Sequence, residues 1–300
     1  MRHVVVVGGS LGGLRAAQTL RSEGFDAKLT IISEEKWPAY DRPPLSKQVL
    51  RGQWDQDRIV LSGADDDSLG IDWRRGVRAQ SLDAGERRLT LSDGSTMSYD
   101  GLIIASGARA RRLAGTENLR EVHSLRTLDD ARALRSSLRE RARLLVVGAG
   151  FIGAEVAASA RSMGAEVTLV EPLSAPLARV LGDEMGEIMA QLHRDNGVDL
   201  RLGVGVESME GQDQLRSVVL SDGTMVPADV AVVGIGVIPN VEWLEGNGFD
   251  LSNGILCDET TQVAPRIVAC GDVARWPNPL FGETMRVEHW EHTIDMAGHA

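Results

Sequence analysis

The chain has 300 residues, enough for about two domains, and its 43% hydrophobic and 25% charged residues are typical of a globular protein with a substantial core. The formal net charge of −11 argues against general nucleic-acid binding, and no apolar run approaches the roughly 18 residues that a membrane span needs. The opening segment is too short for a signal peptide, and Cys257 and Cys270 form no CxxC pair, so we predict a cytoplasmic protein without membrane contact, bound metal or disulfide framework.

The first residues show the pattern of a dinucleotide-binding unit. An apolar strand over residues 3–7 leads into the turn Gly8-Gly9-Ser10-Leu11-Gly12-Gly13, which is followed by a helix over 14–22 and a strand over 27–32. Ser10 replaces the middle glycine of the motif, and its hydroxyl is suited to face a phosphate. Glu34 or Glu35, just after the second strand, is placed to bind a ribose.

The next segment, residues 36–50, loses all periodicity and concentrates prolines. Pro43-Pro44 requires extended backbone, after which residues 45–50 can begin a helix. Short strands are predicted beyond it at 73–79, 87–91, 96–99 and 101–104.

The last of these strands runs into Ala105-Ser106-Gly107, and Arg109, Arg111 and Arg112 follow where we expect the chain to cross to another domain. This arginine cluster is either a solvated face or a docking patch for an acidic partner. The stretch from Ser124 to Asp130 is then predicted to cap a helix that runs to Arg141.

Residues 144–171 carry the clearest motif in the chain. A buried strand over 144–147 precedes Gly148-Ala149-Gly150-Phe151-Ile152-Gly153, a complete GxGxxG. An alanine-rich helix over 154–163 ends at Gly164, and a strand over 166–170 ends at Glu171, which is placed to accept hydrogen bonds from a ribose. Two such units predict two dinucleotides, commonly a flavin and a nicotinamide; the alternative is one site and a decayed copy.

The remaining elements complete the pattern. Predicted are an amphipathic helix over 177–193, hairpin strands over 203–220, and strands over 228–233, 254–257 and 267–270, with a final helix from Thr293.

Several of these motifs resemble those of one family. The string Tyr-Asp-Arg-Pro-Pro-Leu-Ser-Lys, residues 40–47, resembles a signature of the FAD-dependent, NADH-linked ferredoxin reductases that serve Rieske dioxygenases and cytochromes P450. Ala105-Ser106-Gly107 is similar to the family's second FAD fingerprint, Gly271-Asp272-Val273-Ala274 to its last FAD motif, and residues 234–240 to its return crossing. The resemblance covers the whole chain.

The resemblance implies a glutathione-reductase-like α/β fold with two Rossmann-like three-layer domains. The FAD domain would be split between residues 1–110 and 237–300, with the NAD domain at 111–236. The family's C-terminal α/β domain is expected to be absent, since the helix from Thr293 reaches Ala300 without a stop signal. We expect a piece of this length to bind FAD weakly and to reduce ferredoxin poorly.

The resemblance also assigns roles to residues. It implies a catalytic ion pair between Lys47 and Glu155 beside the flavin, although Glu155 could instead be a surface glutamate favoured by the helix dipole. His289 could donate a proton, although a structural role is the simpler interpretation. The residues predicted to bind FAD or NADH are Gly8, Ser10, Leu11, Gly12, Gly13, Glu34, Glu35, Arg42, Pro43, Lys47, Ala79, Ala105, Ser106, Gly107, Arg126, Gly148, Gly150, Phe151, Ile152, Gly153, Glu155, Glu171, Gly236, Asp272, Glu288, His289 and Trp290.

The missing thiol relay distinguishes among related chemistries. Disulfide-reducing relatives carry reactive cysteines just after the first unit or as CxxC in the nicotinamide domain, and this chain has neither. Electrons should therefore leave directly from FAD, which indicates an NADH:ferredoxin reductase that passes electrons from NADH to a Rieske or [2Fe-2S] protein, as a monomer or weak homodimer. The alternatives are an NADH-dependent rubredoxin reductase or NADH oxidase, and an NADH-sensing flavoprotein.

Overall fold

A computed structural model describes residues 1–63 and 67–300, so residues 64–66, within an acidic stretch for which the sequence predicts no element, lie outside the described residues. The chain divides into two compact units, unit 1 with Met1–Asp41, Val60–Arg109 and Ile238–Ala300, and unit 2 with Arg42–Ile59 and Ala110–Val237. These crossing points lie next to the predicted domain boundaries. The sequence did not anticipate that residues 42–59 group with the second unit.

The strands are β1 His3–Val7, β2 Lys28–Ser33, β3 Ile71–Arg75, β4 Ala79–Asp83, β5 Arg88–Leu91, β6 Thr96–Ser98, β7 Gly101–Ile104, β8 Ala108–Ala110, β9 Val122–His123, β10 Arg143–Val147, β11 Glu166–Glu171, β12 Asp199–Leu202, β13 Val206–Gly211, β14 Leu215–Leu220, β15 Met225–Pro227, β16 Val230–Val233, β17 Val237–Pro239, β18 Ile255–Leu256, β19 Gln262–Ala264, β20 Ile267–Ala269, β21 Ala274–Asn278 and β22 Glu283–Met285. The α-helices are α1 Leu11–Ser22, α2 Leu128–Ser137, α3 Phe151–Ser162, α4 Ala178–Asp195 and α5 Trp290–His299. Short 3-10 helices lie at Pro43–Ser46, Asp57–Ile59, Asp67–Leu69, Glu242–Leu244 and Gly271–Val273. Within the described residues, no helix is long and apolar enough to cross a membrane.

Unit 1 is built on a sheet in the order β19-β20-β7-β1-β2-β3, in which all neighbours except β19 and β20 are parallel. Its central strands β1 and β7 are apolar because both faces are covered; Val4 to Val7 and Leu102 to Ile104 are buried. The carboxyl ends of β1 and β7 therefore lie side by side, at the point where the strand order reverses. The glycine turn after β1 and the Ala105 motif after β7 meet at this edge.

Unit 2 repeats the arrangement with a parallel sheet in the order β12-β11-β10-β16-β9. Strands β10 and β16 are central and buried, and the strand order reverses between them. The complete glycine motif follows β10, so it lies at the crevice where α/β sheets bind nucleotides. Both predicted dinucleotide-binding units are confirmed as strand–helix–strand structures.

Several predicted boundaries were wrong for local physical reasons. The strand expected over 73–79 is two strands, because Gly76 between them has φ of +73°. Pro43 and Pro44, expected to be extended, begin a 3-10 helix that runs to Ser46, because proline fits the first positions of a helix. The helix expected over 45–50 does not continue, since the φ of −119° and ψ of −100° at Lys47 are not helical. Helix α2 ends at Ser137 instead of Arg141, because Leu138 has extended ψ of 103°. Helix α5 begins at Trp290, earlier than the predicted Thr293.

Helix α4 agrees with the predicted position but not with a simple amphipathic helix. Gly182, with φ of 77° and ψ of 171°, interrupts it after its first turn. Its apolar side chains are largely exposed instead of covering a core, namely Val180, Leu181, Met185, Ile188 and Leu192.

Candidate functional site

The glycine turn of unit 2 combines close packing with one open position. A Cβ on Gly153 would lie 1.9 Å from the carbonyl oxygen of Gly148, and one on Gly148 would lie 2.5 Å from that of Gly234. Both glycines are therefore required for packing between α3, β10 and the chain after β16. A Cβ on Gly150 would meet nothing within 4 Å. Gly150 borders open space at the start of α3, where a pyrophosphate can approach the backbone.

The start of α3 carries no competing acid, since its first turn contains neither Asp nor Glu. Its unpaired N–H groups are thus available to an anion. Phe151 and Ile152 at this helix end are exposed large apolar side chains, and Gly236 lies beyond β16 with its carbonyl accepting from Arg111 N at 2.9 Å. The residues fit a dinucleotide phosphate at this turn.

Glu171 ends β11 beside this turn, and its carboxylate is fixed by two backbone groups. One oxygen accepts from Ala149 N at 2.7 Å and the other from Leu173 N at 3.0 Å. The acid is held against the glycine motif, at the end of the strand that neighbours β10. Its predicted ribose contact stays a prediction.

Lys47 and Glu155 form the ion pair that the sequence predicted. Lys47 Nζ lies 2.8 Å from Glu155 Oε1, and both side chains are about one-third exposed, at 33% and 34%. Ser46 Oγ donates to the other carboxylate oxygen, Oε2, at 2.5 Å. Because α3 begins at Phe151, Glu155 lies in its second turn and not in the first turn that the sequence predicted. The helix dipole acts within the first turn and does not account for this carboxylate.

Arg42 and Arg126, both predicted to contact the cofactor, lie together in unit 2. Arg42 Nη1 donates to the carbonyl oxygen of Arg126 at 2.5 Å. The backbone before α2 is fixed in turn, since Asp130 Oδ2 accepts from Arg126 N and Thr127 N at 2.9 Å each. Pro43 begins the 3-10 helix that precedes Lys47.

The glycine turn of unit 1 matches that of unit 2. A Cβ on Gly13 would lie 1.8 Å from the carbonyl oxygen of Gly8, and one on Gly8 would lie 2.0 Å from that of Ala105. Ser10 is the N-cap of α1, yet its side chain makes no cap hydrogen bond, and the first turn from Leu11 contains no acid. The hydroxyl and the helix N–H groups thus fit a phosphate in place of the glycine backbone of the usual motif.

Three segments distant in sequence meet at Gly12. Its hypothetical Cβ lies 3.2 Å from Thr293 Cγ2, 3.7 Å from Cys270 Sγ and 3.9 Å from Ala105 Cβ. Asp272 follows Cys270 in the 3-10 helix Gly271–Val273. The unit therefore brings the turn, the Ala105 motif, the Gly271-Asp272 motif and helix α5 to one place.

Helix α5 is attached to the segment after β2. Trp290 Nε1 donates to Asp41 Oδ1 at 2.9 Å, and His289 is the residue that precedes the helix. Glu288 Oε1 lies 2.7 Å from Arg286 Nη2. Nothing in this arrangement gives His289 a catalytic role.

The two acids after β2 differ in their surroundings. Glu35 accepts a hydrogen bond from the Tyr40 hydroxyl, whereas the Glu34 side chain is 70% exposed with Arg78 Nη1 4.0 Å away. Ala79, which begins β4, is buried in the core of unit 1. Its predicted cofactor contact stays a prediction.

The Ala105-Ser106-Gly107 motif is locked to the returning chain at Asn240. Ser106 Oγ donates to Asn240 O at 2.8 Å, and Asn240 Nδ2 donates to Ser106 O at 2.9 Å. Arg109 is engaged here too, through 2.5 and 3.1 Å contacts with the Glu242 carboxylate. This pairing favours a structural role for Arg109 over a docking role.

Both cysteines are unsuited to a thiol relay. Cys257 and Cys270 are buried, and desolvation raises their pKa values to about 11 and about 12. They remain neutral thiols near pH 7, and a thiolate is the reactive form.

Sequence reasoning missed four residues at these sites. Asp41 and Ser46 lie within the quoted Tyr40–Lys47 string, so their position offered a signal. Ser159 is one helical turn beyond Glu155, on the same face of α3, and that spacing was the available signal. Thr293 had none, because only tertiary contacts bring it to Gly12.

The fold and the two glycine turns define a flavin- and nicotinamide-dependent oxidoreductase with glutathione-reductase-like architecture. Residues 2–297 match the family described as pyridine nucleotide-disulphide oxidoreductase, and the chain belongs to that family.

Similar proteins include the rhodocoxin reductase of Rhodococcus erythropolis, 38% identical over 298 residues that cover 98% of this chain and 70% of the relative. The ferredoxin–NAD(+) reductase component of the biphenyl dioxygenase system of Paraburkholderia xenovorans (strain LB400) is 38% identical over 277 residues, 91% of this chain and 68% of the relative. Among solved structures, a chain of the covalent putidaredoxin reductase–putidaredoxin complex matches with a TM-score of 0.96 at 33% identity, covering 99% of this chain and 74% of that one.

Proposed function

We propose that this chain is an FAD-dependent NADH:ferredoxin oxidoreductase, which takes electrons from NADH and passes them singly to a small iron–sulfur protein that feeds an oxygenase. The observation that carries the proposal is the combination of two dinucleotide turns with two buried, protonated cysteines. Such a protein can accept hydride but has no thiol through which to reduce a disulfide. Bound FAD supplies the conversion from two-electron to one-electron transfer.

In this proposal the two units have different ligands. Unit 1 provides the FAD domain, in which Ser10, the N–H groups of α1 and Asp272 hold the phosphates and the ribityl chain. Unit 2 provides the NADH domain, in which Gly150 and the N-terminus of α3 hold the pyrophosphate and Glu171 holds the adenosine ribose.

The Lys47–Glu155 pair is the proposed catalytic feature. Glu155 follows Gly153 by two residues, so the ion pair lies close to the turn that binds the nicotinamide cofactor. A lysine ammonium held by a carboxylate presents donors to the carboxamide and the reacting rings while its own charge is balanced. The pair would orient the nicotinamide for hydride transfer.

The partner is supported by the names of the relatives. One relative is named as a reductase of rhodocoxin and another as the ferredoxin–NAD(+) reductase component of a dioxygenase system, and the matching solved complex contains putidaredoxin. We propose a [2Fe-2S] or Rieske protein as acceptor and the cytoplasm as the location.

The test is steady-state and anaerobic stopped-flow kinetics with NADH and purified candidate ferredoxins. We expect rapid flavin reduction and turnover that rises with ferredoxin concentration, followed as ferredoxin-dependent reduction of cytochrome c. Fast hydrogen peroxide formation whose rate does not depend on the ferredoxin concentration would indicate an NADH oxidase. Slow turnover with every iron–sulfur protein, while NADH remains bound, would indicate a sensor. Either result would overturn the proposal.

A further inference from the structure

Glu155 is held at both of its carboxylate oxygens. Lys47 Nζ lies 2.8 Å from Oε1, and Ser46 Oγ donates to Oε2 at 2.5 Å. The hydroxyl has a single proton, and its other acceptor within reach, the carbonyl oxygen of Pro43, is 3.4 Å away. The short contact with a charged acceptor identifies Glu155 as the partner of Ser46.

A second serine fixes the backbone of the first. Ser159 lies one helical turn beyond Glu155 on α3 and is buried, and its Oγ donates to the carbonyl oxygen of Ser46 at 2.7 Å. Helix α3 therefore binds Ser46 at two points. Glu155 accepts a hydrogen bond from the Ser46 hydroxyl, and Ser159 donates one to the Ser46 carbonyl oxygen. We refer to Ser46 and Ser159 as the serine clamp.

The ion pair needs such support. Lys47 and Glu155 are each about one-third exposed, and ion pairs with that exposure do little by themselves to fix a geometry, because solvent screens the attraction. Both side chains have several rotatable bonds, and Lys47 follows the end of a 3-10 helix with backbone angles outside the helical region. The two hydrogen bonds of the clamp, one buried and one partly buried, restrict the side-chain positions that the partly exposed ion pair alone does not restrict.

We infer that Ser46 and Ser159 are positioning residues for hydride transfer, which hold Glu155 and thereby Lys47 in the reactive arrangement. This inference rests on the proposed function, in which the Lys47–Glu155 pair orients the nicotinamide. Neither serine touches the cofactor in this account. Both act through Glu155 and Lys47.

The chain offers a readout of the clamp that needs no catalysis. It contains three lysines, Lys28, Lys36 and Lys47, so competitive labelling of the holoenzyme with an amine reagent, followed by mass spectrometry, reports each separately. Lys28 and Lys36 are exposed and serve as internal standards. We expect Ser46→Ala to raise the labelling rate of Lys47 by about threefold or more relative to Lys28. Without the hydrogen bond from Ser46, the Glu155 carboxylate can move and no longer fixes the Lys47 ammonium.

The matched control is Ser162→Ala on the same helix. Its hydroxyl donates to the carbonyl oxygen of Ser159 at 2.6 Å and does not contact Ser46 or Glu155. This variant should leave Lys47 labelling and flavin reduction at the parent level.

Stopped-flow reduction of the flavin by NADH provides the second readout. Ser46→Ala should lower the limiting rate by about tenfold, while the apparent Kd for NADH and the FAD content change by less than about twofold. In a protein that already carries Glu155→Gln, Ser46→Ala should lower the limiting rate of flavin reduction by less than about a further twofold. The reason is that the clamp acts through the carboxylate, which this protein lacks. Ser159→Ala should act in the same direction.

These outcomes separate the two hypotheses. Unchanged Lys47 labelling in Ser46→Ala, or an equal loss of rate with and without the Glu155 carboxylate, would overturn the positioning role. If Ser159→Ala fails to fold, Ser46→Ala and the double-variant cycle still decide the question. A clamp effect on labelling and flavin reduction without ferredoxin-dependent turnover would overturn only the proposed function.

Discussion

The two glycines Gly150 and Gly153 allow nucleotide binding and folding to be tested separately. An alanine at Gly153 would place its Cβ 1.9 Å from the carbonyl oxygen of Gly148, so α3 and β10 must move apart. Overpacking of this kind costs about 1–3 kcal/mol, and the contact is with backbone that cannot rotate away, so we expect at least the upper value. Gly153→Ala should lower the stability of the protein and, with it, all binding.

Gly150→Ala should behave differently. Gly150 has φ of −73° and ψ of −174°, which any residue can adopt, and a Cβ there meets nothing within 4 Å. The loss of glycine entropy in the unfolded chain stabilises by about 0.4–1 kcal/mol, whereas alanine is a poorer N-cap than glycine by a similar amount. The free energy of unfolding should therefore change by less than about 1 kcal/mol.

The added methyl of Gly150→Ala instead enters the space where the pyrophosphate would approach the backbone of α3. We expect NADH binding to weaken by about tenfold or more, or at least 1.4 kcal/mol, with FAD content unchanged. Urea unfolding, NADH titration and flavin content measure the three quantities on the same preparations. Parent-like NADH affinity in Gly150→Ala, or destabilisation equal to that of Gly153→Ala, would refute the assignment of this turn.

Three further predictions concern the cofactors and pH. The purified protein should release FAD, and not FMN, on heating, as chromatography would show. NADH should be preferred over NADPH by about tenfold to 1000-fold in kcat/KM, because a like charge near 4 Å from Glu171 costs about 4 kcal/mol at an effective dielectric of 20 and a third of that is already about tenfold. Glu171→Gln should reduce this preference by about tenfold, and equal use of the two nucleotides by the parent would contradict the reasoning. Burial lowers the pKa values of His3, His123, His193 and His292, so the unfolded chain binds more protons below about pH 6.5, and the free energy of unfolding should fall between pH 7.5 and 5.5. Urea titrations should show a smaller fall in the free energy of unfolding for His193→Leu than for the parent. A parent whose free energy of unfolding does not change over this pH range would contradict the lowered histidine pKa values.

The glycine motifs were predictable because their requirements are local. Gly13 and Gly153 contact the backbone of Gly8 and Gly148 in their own turns, and Gly8 and Gly148 have φ of 124° and 94°, so spacing along the sequence carries the information. The ends of irregular elements were not predictable in this way. The division of one expected strand into two at Gly76 and the non-helical backbone at Lys47 depend on the conformation of single residues, which a periodic pattern does not reveal.

The sequence by itself determined the two dinucleotide-binding units, the crossing segments, the absence of a CxxC pair, and the pairing of Lys47 with Glu155 through family resemblance. Only the tertiary structure decided how that pair is held, since Ser46 meets Glu155 and Ser159 across 109 and 113 residues. It also decided that residues 42–59 pack with the second unit and that Thr293 and Cys270 meet at Gly12. Strand and turn patterns follow from short-range backbone preferences, whereas contacts between residues distant in sequence exist only once the sheet of their own unit has formed.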